Sequence, residues 1–134
     1  RNLLNVLVNQ TGDVLVDGQY LSLDRIRDEV KRHITNRGQL PNYSDSPDLA
    51  IVSFKTERGL AYGQYINVLD EIKSAYLEVR DEYAQQTFNM DYVTYQATLS
   101  EDDVDLVVEE YPMKISLAEP DPGGGAAPAA PADG

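Results

Sequence analysis

Nucleophilic or metal-assisted chemistry needs a base, a thiolate or a convergent ligand set. The chain has one histidine and no cysteine. His33 lies in a stretch where Leu23, Ile26, Val30 and Ile34 recur at helical spacing. It sits beside that apolar stripe and has no identifiable partner for a triad or a metal site, so it reads as a structural or exposed residue. "EDDVD" at 101–105 invites comparison with a calcium loop, which requires alternating oxygen ligands, a central glycine and a closing glutamate. Val104 interrupts the cluster, and helix-start charge explains the acids better. "ERGLAYG" at 57–63 has two glycines but lacks the spacing and the Lys-Ser/Thr pair of a phosphate loop, so it reads as a strand-to-helix turn. Of nine tyrosines, Tyr65, Tyr76 and Tyr83 fall on a helical stripe and read as packing. Tyr43, Tyr92 and Tyr95 lie in less regular segments and are the candidates for an exposed recognition surface. These residues point to no enzyme, no cofactor and no metal; what remains is binding or mechanical coupling.

The chain has 134 residues and a net charge of −12. Residues 121–134 are mostly Gly, Ala and Pro with little apolar bulk and read as a disordered tail. Residues 1–120 then form one domain, large enough to bury a core without disulfides. The chain starts at Arg1 and reads as a fragment or a processed chain, with no signal peptide in view. Its apolar runs fall far short of the roughly 20 residues that span a bilayer. Charge is uneven: residues 70–110 hold twelve acids and two bases, Lys73 and Arg80. Such acidity disfavours nucleic acid and anionic lipid as partners. It serves solubility, or else it forms a surface for a basic partner.

The elements that would position these residues can be read in order. "LLNVLV" and "VLV" around "QTGD" predict a β-hairpin over residues 3–16, and Asp17-Gly18 predicts a tight turn. Ser22 is the predicted N-cap of a first helix, with Gly38 as its stop. "LAIVSF" at 49–54 is a strand buried on both faces or on one deep face. Tyr65, Leu69, Ile72, Tyr76, Val79 and Tyr83 predict a long amphipathic helix ending near Gln86. A short helix at 91–97 follows, then one capped by Ser100 with Glu101, Asp102 and Asp103 in its first turn. Met113, Ile115 and Leu117 alternate with polar or small residues in a last strand. The fold class is α+β in two layers, a single mixed sheet of four to five strands with helices on one face, in the order β-β-α-β-α-(α)-β. Crossovers through helices predict parallel neighbours for the last two strands.

Taken together, "TGDVLVDGQYLSLDRI", "AIVSFKTERGLAYGQYINVLDEIKSA" and "YPMKISLAEP" resemble the periplasmic domain of the ExbD/TolR family. Tyr62, Gly63, Asp70 and the closing "ISLAEP" match the family pattern over about residues 3–120. Residues 79–111 depart from it by lengthening the second helix and adding a further acidic helical segment, as in a longer ExbD-like variant, and "FKTERG" replaces the usual charged residue after the third strand. The resemblance implies the periplasmic domain of a single-pass inner-membrane protein. Its N-terminal helix, absent from this chain, would carry a proton-sensitive Asp. Two copies would form a homodimer inside an ExbB- or TolQ-like pentamer. The domain would couple proton flow to a TonB-type partner for outer-membrane transport or, in the TolR-like alternative, bind peptidoglycan.

A small open sheet ends in strands with unpaired amides, to which an extended partner segment can add. The first hairpin or the final strand is expected to supply that edge. The partner-binding candidates are therefore Leu4, Val6, Val8, Val14 and Val16, or Met113, Ile115 and Leu117.

Overall fold

The structure, a computed structural model, describes residues 1–118. The expected tail at 121–134, and the Glu119-Pro120 end of the last strand, lie outside the described residues. Five strands form one mixed sheet: β1 (Leu3–Val8), β2 (Val14–Val16), β3 (Gln19–Leu21), β4 (Ile51–Thr56) and β5 (Ile115–Ala118). Four helices complete the fold: α1 (Leu23–Thr35), α2 (Tyr62–Phe88), α3 (Tyr92–Ala97) and α4 (Leu106–Glu110). The sheet order is β3-β2-β1-β4-β5, antiparallel on the β3 side and parallel from β1 through β4 to β5. This is the expected α+β class, with the parallel neighbours that helical crossovers require.

The hairpin forms because Asn9 organises its turn. Its side-chain oxygen accepts from Thr11 N (3.2 Å), Thr11 Oγ1 (2.8 Å) and Asp13 N (2.8 Å). Gly12 supplies the positive φ of 91° that the turn needs. Asp17 and Gly18 do make a tight turn, both in the left-handed region (φ 50° and 86°), as a two-residue hairpin of right-handed twist demands. That turn leads into β3, a strand missing from the sequence reading. Gln19 and Tyr20 are exposed and Leu21 only half-buried, so no apolar alternation marked it.

Burial alternates along β1 and β4. Leu4, Val6, Val8, Val52 and Phe54 are buried on one face, and Leu3, Asn5 and Ile51 lie on the other. β4 is thus covered on one side only, and Leu49 stays exposed outside it. Against the buried face pack Ile26, Val30 and Ile34 of α1 and Val68, Leu69, Ile72, Tyr76 and Val79 of α2. Leu23, the first residue of the predicted α1 stripe, is exposed instead. The two helices are also joined at the surface. Arg27 reaches Glu71 (3.1 Å) and Glu78, and Lys31 reaches Glu78 (3.2 Å) and Glu82 (2.9 Å). Arg27 in turn holds the Glu78 carboxyl below its ordinary pKa.

Two capping expectations need correction. Ser22 is the N-cap of α1, but its hydroxyl donates to Asp24 Oδ1 (2.6 Å) and caps no amide. Ser100 starts no helix. Asp103 folds back on it, accepting from Ser100 N (2.8 Å), and the helix begins later, where Asp105 accepts from Val107 N (3.0 Å) and Val108 N (3.1 Å). Asp91 caps the short helix α3 through Thr94 N (2.7 Å). α2 runs two residues past Gln86 and stops where Asn89 turns left-handed (φ 59°).

Candidate interaction edge

The register decides which strands have free borders. Val52 N donates to Lys114 O (3.0 Å), which with the pairing Val52↔Ile115 fixes the whole β4–β5 ladder. In a parallel ladder alternate residues bond to one side. Ser116 therefore carries both bonds to β4, while the backbone amides and carbonyls of Ile115 and Leu117 point away from β4. No strand among the described residues lies beyond β5. The side chains of Ile115 and Leu117 rest half-buried against the core, beside Met113. The final strand thus stands at a sheet edge, and Ile115 and Leu117 present its outward groups.

The first hairpin does not stand at an edge. β1 is the central strand, paired to β4 through Leu4, Val6 and Val8 and to β2 through the alternate residues. Leu4, Val6, Val8, Val14 and Val16 are core residues, at most 8% exposed. β2 is covered by β3. The correction has a simple physical cause: the most apolar strand is the one with neighbours on both sides, so strong hydrophobicity marked the centre of the sheet rather than its border. The edge on that side is β3, where the two-residue turn bonds Gln19 to Val16 and leaves the Tyr20 backbone outward.

β3 borders a polar groove of about 640 Å³ whose walls include Tyr20, Tyr43, Asn42, Gln19, Asp17 and Glu29. Tyr20 is 73% exposed. Tyr43 is fixed, its hydroxyl donating to Glu29 Oε2 (2.6 Å) and the Arg32 guanidinium lying 5.8 Å from its ring centre. That bond to a carboxylate pushes the Tyr43 pKa up.

The other two tyrosine candidates are not at the surface. Tyr92 and Tyr95 are 8% and 6% exposed, in a second small core with Ala84 and Val107. Tyr95 stacks on Phe88 at 4.5 Å. Burial, with a 2.6 Å bond to Asp105, drives the Tyr92 pKa to about 12.

Tyr62, Gly63 and Asp70 do not converge on one site. Tyr62 begins α2 and is exposed, stacking on Tyr65 at 5.8 Å, which stacks on Phe54 at 5.4 Å. A side chain at Gly63 would meet nothing within 4 Å, and Asp70 lies exposed two turns further on. Among the described residues no three His, Asp or Glu side chains gather as metal ligands. His33 is fully buried in α1, its Nε2 bonded to Asn2 O at 3.0 Å.

No family model matches the chain, and no curated protein matches it. Among the described residues no helix is long and apolar enough to cross a membrane.

Proposed function

We propose that this chain is the periplasmic domain of an ExbD-like subunit of a proton-driven Ton motor, and that it couples inner-membrane proton flow to a TonB-type partner by taking up an extended partner segment along β5. The observation that carries the reading is the outward display of the Ile115 and Leu117 backbone at the end of the sheet. Main-chain bonding at such an edge gives affinity with little demand on partner sequence, which suits a contact that must form and release. In this reading the domain works as a homodimer held to an ExbB-like pentamer by an N-terminal membrane helix. The proton chemistry belongs to that helix, not to the domain.

The test is a backbone-amide titration with an extended peptide from a TonB-type protein. Shifts should concentrate in residues 113–118 and vanish in Leu117→Pro. That substitution removes an outward amide and no bond to β4, whereas Ser116→Pro breaks the ladder itself. Shifts confined to helix surfaces refute edge capture.

A second reading, a TolR-like peptidoglycan binder, is favoured by the groove beside β3. An exposed aromatic wall, Tyr20, among Asn, Gln, Asp and Glu side chains is suited to stacking a sugar face and bonding its hydroxyls. Retention of the chain by isolated peptidoglycan, lost in Tyr20→Ala, supports it; no retention removes it.

A further inference from the structure

We infer that the sheet is a mechanical clamp, built so that a pull entering at the start of β1 and leaving at the end of β5 is resisted in shear. The inference stands on strand direction alone, and the proposed coupling role only supplies a reason for the load.

β1, β4 and β5 are adjacent and parallel. The chain enters the domain at the beginning of β1 and the described residues end with β5. These points lie at opposite ends of parallel strands. A pull that separates them drags β1 and β5 in opposite directions along the strand axis. Six residue pairs join β1 to β4, from Leu3↔Ile51 to Val8↔Thr56, and four join β4 to β5. Inter-strand bonds run across the strands, so under such a load all the bonds of a ladder are strained together. Pulling across the strands instead would open them one at a time. β1 gains further support from β2, which holds it on its other side.

The entry point is fastened separately. The Arg1 guanidinium donates to Tyr43 O (3.0 Å) and pairs with Asp45 (3.0 Å). The Asn2 side chain accepts from Asp45 N (2.8 Å), and its carbonyl accepts from Ile51 N (2.8 Å) and faces His33 Nε2 (3.0 Å). The first two residues are thus tied to β4, to α1 and to the loop before β4. A load arriving there is spread over three elements before it reaches the β1 ladder.

The chain has no cysteine, so paired cysteine handles are unambiguous. The experiment is single-molecule pulling on the full chain in two geometries: Arg1→Cys with Ala118→Cys, and Arg1→Cys with Gln19→Cys. In the second pair the handles sit near the same end of β1 and β2, because the β2–β3 turn lies beside Asn5, whose carbonyl accepts from Asp17 N (2.8 Å). Load then peels β1 from one end. Rupture reads the unfolding rate over the loaded barrier, and the expected force in the first geometry is at least about twice that in the second. Adding Ser116→Pro should lower the force in the first geometry and leave the second unchanged. Equal forces in the two geometries overturn the clamp, as does a Ser116→Pro effect of the same size in both. Either result leaves the peptide titration free to succeed, and a failed titration leaves the clamp standing.

Discussion

His33 should make this protein lose stability on mild acidification, and it is the only histidine present to do so. Its ring is fully buried. Nε2 faces the Asn2 carbonyl at 3.0 Å, which assigns the neutral tautomer with the proton on that nitrogen. Nδ1 has no hydrogen-bond partner. Protonation would place a charge in the interior and a donor at Nδ1, which has no hydrogen-bond partner there, a costly state. Burial therefore pushes the His33 pKa below its ordinary value of 6.5; the carbonyls of Asn2 and Ile51 and the charge of Asp17 oppose the shift without cancelling it. The sign follows from linkage. Well above 6.5 the ring is neutral in both folded and unfolded chains, and stability does not depend on its titration. As pH falls below that value the unfolded chain takes up a proton that the folded chain refuses, so stability declines until the folded pKa is reached. The loss grows by about 1.36 kcal/mol for each unit by which the folded pKa lies below the unfolded one. The carboxyls of Glu78, Asp91 and Asp103, all held below their ordinary values, start to lose their stabilising effect only at lower pH. The assay is urea denaturation at steps from about pH 7.5 to about pH 5, where histidine is the only side chain with an ordinary pKa. The wild-type midpoint should fall across that window while His33→Leu stays nearly flat, whatever its absolute stability. Parallel curves for the two proteins would refute the assignment of a buried neutral ring.

Three further outcomes are expected. Asp105→Ala removes the cap of α4 and the partner of the Tyr92 hydroxyl together, at a cost of about 1–2 kcal/mol; a spectrophotometric titration should then show the Tyr92 pKa falling from about 12 toward its ordinary range. Gly12→Ala forces a side chain into φ 91° and into the Gln64 amide, where its Cβ would lie 2.5 Å from Nε2. The Gln64 side chain can swing aside but the backbone cannot, so thermal unfolding should report a loss of about 1–2 kcal/mol. Tyr111→Ala should cost about 3–5 kcal/mol, and hydrogen exchange should show protection lost first in β5 rather than in β1.

What could be read from the sequence depended on how far its signals reach. The stripe of Leu69, Ile72, Tyr76 and Val79 is local, and α2 formed on it. The β1–β2 hairpin rests on Asn9 and Gly12, side-chain and backbone preferences that act within five residues. β3 was illegible because an edge strand with exposed Gln19 and Tyr20 needs no apolar pattern; it exists because a left-handed Asp17-Gly18 turn points the chain back along β2. Tyr92 and Tyr95 looked like loop residues because their burial depends on Phe88 and Val107, which come together only after α2 has ended and α4 has formed. The edge assignment failed for the hairpin and held for β5 for one reason: strand order is set by crossovers, and hydrophobicity along a strand does not reveal how many neighbours it has.

The segment at 79–111 explains how β5 comes to be placed at the border at all. Its chain must travel from the far end of a 27-residue helix back to the sheet. Tyr111, just before β5, is where that return is fixed. Arg37, two residues past the end of α1, donates to the Tyr111 hydroxyl (3.1 Å) and lies 5.6 Å from its ring centre. Arg80 of α2 donates to its carbonyl (3.0 Å), and Tyr83 packs edge-on against its ring at 5.6 Å. Two helices thus hold one residue, three positions ahead of the point where Lys114 O takes its bond from β4. A strand delivered from a fixed point loses less freedom when it pairs, so four residues suffice for β5 where a free terminal segment would fray. The acidic segment therefore acts on the candidate edge from a distance. It presents no binding group there itself, but it sets where the bonded amides of β5 must lie and so which ones are left facing outward.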